Sequence, residues 1–243
     1  MEDDVRNLHA GRPVRPHLVS TVYDFWQRSA YRETSLEPAL KVSPRGACDD
    51  GLVYRFESRS TVPESASRER YFTAALEILT AQGFGHLTMT ALHRRLGVSS
   101  GSFYHFFAGW DDFVAQFLES WITQTAEISL EAQQTSDPFD RLEILRLLAK
   151  SVPHAAEAAM RMWSATDSTV ATAQRHVDTQ RLAIIAEAVS NAGVADVRAD
   201  RLARHGLSLI VGWQQLSLPF DAHGLDELLG QFIDLVHGYA SPP

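Results

Sequence analysis

Residues 97–101 read Gly-Val-Ser-Ser-Gly. A serine between glycines at this spacing is the pattern of a nucleophile elbow, in which Ser99 would attack an ester carbonyl from a sharp strand-to-helix turn. That chemistry needs a strand before the serine and a parallel sheet beneath it. The preceding segment, Thr90 to Leu96, carries Leu92-His93-Arg94-Arg95-Leu96 and reads as a helix. No βαβ unit is present to build the sheet, so a serine hydrolase using Ser99 is only the remote alternative. The same stretch offers a second chemistry. Ser100, Gly101, Ser102, Tyr104 and His105 are small or hydrogen-bonding groups. Such groups allow close approach to phosphate oxygens and to the edges of bases.

The elements around these residues fit the second chemistry. A helix can start at Thr88 or Thr90 and hold Leu92 and Leu96. Gly97 supplies a backbone that takes positive φ, as a tight turn between helices requires. Ser99 can cap the next helix, whose Phe103 and Phe106 face away from the polar set. Leu92, Leu96, Val98, Phe103 and Phe106 are spaced so that two short helices clasp one core at a steep angle, as in a helix-turn-helix. An ordinary helical hairpin in an all-α core is the plainer reading of the same spacing.

From Ser65 onward the chain is helical in pattern, which predicts an all-α fold. Phe72, Ala75, Leu76 and Leu79 form one apolar stripe after a Ser67 cap, ending at Gly83 and Gly85. Phe113, Phe117, Leu118, Trp121 and Ile122 predict a helix from about 111 to 133. Asp137-Pro138 restarts the chain as a cap and a first-turn proline, and Pro153 breaks the next segment. Further helices are expected over 167–192, 200–216 and 225–239. Residues 1–64 hold five of the ten prolines and no sustained helical period, so an irregular N-terminal arm is expected. A translation artefact upstream of the true start is the other reading of that stretch.

Composition narrows the classes. The 243 residues carry 22 Lys+Arg and 30 Asp+Glu, net −8. The charge is uneven: residues 65–107 are net +2, whereas 108–243 are net −9. A small basic module beside an acidic body suits an anion-binding unit on a body that repels anions. No apolar run approaches the ~18 residues of a membrane helix, and the acidic Met1-Glu2-Asp3-Asp4 start argues against a secretory signal. A cytoplasmic location is the simplest expectation. The single cysteine, Cys48, excludes an intramolecular disulfide and a cysteine metal cage. His93 and His105 fall on different helices, and no H-E-x-x-H pattern exists, so no metal is assigned. Gly83-Phe84-Gly85 lacks the third glycine of a dinucleotide loop, and no cofactor is expected.

The run Leu87-Thr88-Met89-Thr90-Ala91-Leu92, then Leu96-Gly97-Val98-Ser99, then Gly101-Ser102-Phe103-Tyr104 and Phe107 resembles the DNA-binding domain of TetR/AcrR-type transcription regulators. The Ser67–Gln82 helix with Gly83-Phe84 matches that family's first helix and turn. The resemblance covers about residues 67–118. Beyond Trp121 only the helical pattern is similar. The resemblance implies a DNA-facing set of Thr88, Thr90, Ser99, Ser100, Gly101, Ser102, Phe103, Tyr104 and His105. His93 stands where the family usually has alanine. Ala108 and Trp110 stand where it often has phosphate-gripping basic residues.

The expected organisation is an irregular arm at 1–64, a helix-turn-helix DNA-binding domain at 65–110, and a helical effector-binding and dimerisation domain at 111–243. The expected partners are a pseudo-palindromic double-stranded DNA operator, a second copy of the chain, and a small-molecule effector of unknown identity; no membrane is expected. Phe139, Met160, Trp163 and His176 are candidates to line the effector pocket. Leu202, Leu209, Trp213 and Leu216, with Leu228, Phe232 and Val236, suit either a dimer seam or the chain's own core. An architectural DNA-binding protein without effector is the alternative that would look the same over 65–110.

Overall fold

The structure, a computed structural model, describes residues 67–217 and 219–240. The arm expected over 1–64 lies outside these residues. Among those described, every regular element is helical and no strand occurs. In chain order they are α1 (Arg68–Gln82), a 3-10 turn (Phe84–His86), α2 (Met89–Leu96), α3 (Ser100–Phe106), α4 (Trp110–Gln133), α5 (Pro138–Ser151), α6 (His154–Ser164), α7 (Ser168–Asn191), α8 (Asp196–Leu216) and α9 (Ala222–Ala240).

Local chemistry explains most boundaries. Thr88 Oγ1 accepts the Ala91 N–H at 3.2 Å and caps α2. Gly97 closes that helix in the left-handed region at φ 66°, its N–H bonded to the His93 carbonyl. Asp137 accepts from the Phe139 and Asp140 N–H groups at 2.9 Å, and Pro138 opens α5. Asp167 likewise accepts from Thr169 and Val170 at the start of α7. Ser67 and Ser99 do sit at the N-cap positions with extended backbone, but neither hydroxyl makes the capping bond. The helix expected from 200 begins four residues earlier, at Asp196, where Ala195 stands at the cap position.

One aromatic core holds α1–α4 together. Phe103 and Phe107 are buried with ring centroids 5.0 Å apart, and Tyr71 meets both edge-on at 5.7 and 5.4 Å. Phe113 packs on Phe107 at 5.1 Å and on Phe117 at 6.1 Å, which extends the cluster along α4. Edge-on and offset pairs of this kind are each worth about 0.5–1.5 kcal/mol beyond their area. The same core continues into Ala156, Ala159 and Met160 of α6 and Val170, Ala173 and Val177 of α7. The turn before Trp110 is therefore no gap in the packing. A second core joins α5, α7, α8 and α9 through Leu142, Val189, Leu202, Phe232 and Val236. Gly206 lets α9 approach α8 closely, since a Cβ there would lie 3.1 Å from the Phe232 ring.

Between the cores runs a buried polar seam. Glu157 of α6 accepts from Arg181 of α7 through both carboxylate oxygens. Gln214 of α8 donates to Glu157 at 3.1 Å and lies 3.1 Å from His154 Nδ1. One turn along, Arg161 and Asp178 form a second bidentate pair at 2.9 Å. Burial alone would raise the Glu157 pKa, but the charge and hydrogen bonds of Arg181, with Gln214, outweigh it and hold the carboxyl below its ordinary range. Burial lowers the His154 pKa, and Arg181 adds to this against the opposing pull of Glu157 and the Lys150 carbonyl.

Both depressed values make the folded state bind fewer protons than the unfolded chain, so both contribute stability that is lost on acidification. The histidine contribution is complete above its unfolded pKa of 6.5 and fades below it; the Glu157 contribution fades below about 4.5. The unfolding midpoint is expected to fall between pH 7 and pH 5, with the loss over that window reduced in His154→Gln. A midpoint flat across that window in the wild type, measured by circular dichroism, contradicts the assignment.

Candidate functional site

The α2–turn–α3 unit presents one continuous polar surface. Thr88, Thr90, Ser99, Ser100, Gly101, Tyr104 and His105 are exposed, and Ser102 is half-buried. Tyr104 is 59% exposed, a high value for a ring and one that leaves its hydroxyl free to reach outward. Phe103 departs from the expected DNA-facing set. It is 0% exposed and sits at the centre of the aromatic core, so it orients α3 and does not touch a partner. Its spacing from Leu92 and Leu96 already placed it on the apolar side of the helix.

Two basic residues beside this surface were not singled out from the sequence. Arg94 and Arg95 end α2 on its exposed side. Arg95 is held by Glu77 of α1, while Arg94 shows no acidic partner among the described residues. Their adjacent charges just before Gly97 were the available signal. His93 fills the angle between α2 and α3, where its ring meets Phe103 edge-on at 5.9 Å. The bulk of an imidazole in place of alanine is thus accommodated inside the unit.

The start of α4 is acidic. Asp112 accepts the Ala108 N–H at 2.8 Å and the Gln116 side-chain N–H at 2.9 Å. The Gln116 hydrogen bond, then that from Ala108, lowers its pKa. Trp110 is half-buried, with its ring 5.2 Å from Phe113. It therefore serves packing as well as lying near the candidate surface.

A cavity, partly open to solvent, lies in the helical body between α4, α5, α6, α7 and α8. Aliphatic side chains such as Leu145, Ile184 and Ile210 form most of its wall, and Glu157 and Arg181 supply its charged part. None of the four expected pocket residues lines it. Phe139 stacks on His237 at 3.6 Å, Met160 is buried in the aromatic core, Trp163 packs against that core, and His176 is exposed. Large apolar side chains were poor guides here because they fill space, whereas the void is bounded by mid-sized aliphatics. The better signal was a charged Glu157 among Ala156, Ala159 and Met160. Among the described residues no cluster of His, Cys, Asp and Glu suits a metal, and no helix is long and apolar enough to cross a membrane.

Residues 72–117 match the family model described as bacterial regulatory proteins, tetR family. The helix-turn-helix of this chain is a tetR-family one. No curated protein matches the chain in sequence. Several solved structures share its fold. A transcriptional regulator from Rhodococcus sp. Rha1 is 18% identical, covers 73% of this chain and all of its own length, and superposes with a TM-score of 0.62. A putative regulator from Saccharomonospora viridis, solved in complex with choline, is 19% identical over 69% of this chain and 95% of its own, at 0.61. E. coli NemR in its reduced form is 18% identical over 72% and 98%, at 0.53. The tetR-family unit thus sits on a helical body shared with these regulators.

Trp110 gives a test of how this unit meets its ligand. A lysine there can lay its methylene stem over Phe113 and carry its charge outward. Trp110→Lys is expected to steepen the slope of log DNA affinity against log salt by about 0.9 for each half-site bound and to bind more tightly at low salt. The lost ring contacts should cost about 1–2 kcal/mol of stability. A folded variant with unchanged slope would show that the start of α4 does not face phosphate.

Proposed function

We propose that the chain is a dimeric, DNA-binding transcriptional regulator of the cytoplasm, a repressor released from its operator by a small molecule. The observation that carries the reading is the exposed hydroxyl-rich face of α3, held rigidly by Phe103 and flanked by Arg94 and Arg95. A hydroxyl and guanidinium surface on a short helix suits phosphate and base-edge contacts in a major groove. In this reading residues 65–110 bind DNA, with Thr88, Thr90, Ser99, Ser100, Gly101, Ser102, Tyr104 and His105 at the interface.

Dimerisation is supported by economy and by surface. One helix-turn-helix buries too little to hold a site tightly, and two-fold operators match two-fold proteins. Leu216 is 84%, Tyr239 44% and Leu235 37% exposed on α8 and α9, which suits a seam there. Leu202, Phe232 and Val236 are buried within the chain, so their part is in its own core. The cavity beside Glu157 supports effector binding by residues 111–243. Its wall includes α6, the helix that also packs against α1 in the aromatic core. The complex of the Saccharomonospora viridis neighbour with choline is in keeping with a ligand-binding body.

Selection of bound duplexes from a random DNA pool tests the reading. The expected result is a pseudo-palindrome with half-sites about 34–36 Å apart or a multiple of that. Tyr104→Ala should weaken binding to all sequences alike. Ser102→Ala or His105→Ala should change base preference, each by about 1–3 kcal/mol at one position. Recovery of a lone asymmetric half-site would contradict the dimer.

A further inference from the structure

We infer that the cavity beside Glu157 takes an uncharged, mainly aliphatic molecule with a hydrogen-bond-accepting oxygen at one end, and that Arg181 binds that oxygen. The inference deepens the reading of this cavity as the effector site by assigning its ligand class. It starts from the polar atoms on the wall. Thr125 donates its hydroxyl proton to the Trp121 carbonyl at 2.9 Å, and Ser129 donates to the Thr125 carbonyl at 2.8 Å. Both protons are spent on the backbone of α4. The guanidinium of Arg181 has five N–H donors. Glu157 takes two of them, and among the described residues no other acceptor bonds the group. Arg181 is therefore the wall's available donor, and the rest of the wall is largely aliphatic.

Charge decides what the acceptor is. Glu157 neutralises Arg181, and on the next turn Asp178 neutralises Arg161. Outside the wall, Arg146 and Lys150 of α5 are matched by Glu143 of α5 and Asp226 of α9. The surroundings sum to no net charge. A carboxylate entering here would bring a negative charge with no counterion, beside a buried Glu157 that already needs Arg181. A cation would be equally uncompensated. Burying an unpaired charge is far more costly than burying a hydrogen-bonded neutral oxygen. A carbonyl oxygen meets the spare donors of Arg181 without disturbing the ion pair.

Calorimetric titration of the full chain, free of DNA, with 2-nonanone, octanoate and octylammonium tests this at neutral pH. The ketone is expected to bind at least tenfold more tightly than either ion. Glu157→Gln keeps the side-chain shape but leaves Arg181 uncompensated, so octanoate should gain by more than its wild-type deficit and overtake the ketone. Should that variant fail to fold by circular dichroism, the double variant Glu157→Gln with Arg181→Met removes both charges together and should lose at least tenfold in ketone affinity. No binding by any of the three compounds, an ion binding the wild type as tightly as the ketone, or a double variant that keeps its ketone affinity overturns the inference. Operator release is scored separately. A ketone that binds without releasing DNA upholds the ligand class and rejects the effector reading.

Discussion

Phe103 is the residue on which the arrangement turns. Its ring is fully buried between Tyr71, Phe107 and Phe113, so the short α3 has one way to lie against α1 and α4. A seven-residue helix has little stability of its own and depends on such packing. Burying Phe103 on one side of α3 is what leaves Ser100, Tyr104 and His105 on the other. The recognition surface is thus a by-product of the core. The core does not stop at the helix-turn-helix, because Met160 and Val177 belong to it. α6 and α7 therefore share the core that holds α3 in place.

The body makes a different compromise. Glu157 and Arg181 occupy positions where aliphatic residues would stabilise at least as well, since desolvating two charges offsets most of their attraction. The pair ties α6 to α7 and, through Gln214, to α8, with Arg161 and Asp178 adding a second α6–α7 tie one turn on. It also puts Glu157, one of the two charged groups of the cavity wall among the described residues, on α6, which packs into the aromatic core. A molecule that engages Arg181 acts directly on the α6–α7 contact.

The fold was legible where local chemistry sets the structure. Gly97 takes the positive φ expected of it, Thr88 caps α2, and Asp137-Pro138 opens α5. Apolar periodicity placed α4, α7 and α9 to within a few residues. The exposed polar face of α2 and α3 was legible apart from Phe103, where motif membership overrode the plain reading of its spacing, and Arg94 and Arg95 beside it were missed. The cavity was not legible. A void depends on how helices distant in sequence fail to fill space, and α4, α5, α7 and α8 meet at separations that no periodicity reports. Large apolar residues were expected as pocket walls, yet Met160 is in the aromatic core and Trp163 packs against it, because large side chains bury most area there.

Site-specific photocrosslinking to a selected duplex tests the central claim most directly, namely that the exposed face of α3 is the surface that meets DNA. Benzoylphenylalanine is placed at Tyr104 in one protein and at Val197 in another. Both positions are exposed, but Val197 lies on α8, which packs on α6, α7 and α9. The account predicts crosslinks to DNA from position 104 and none from position 197, with crosslinking competed by unlabelled operator. Efficient crosslinking from 197 with none from 104 would contradict it.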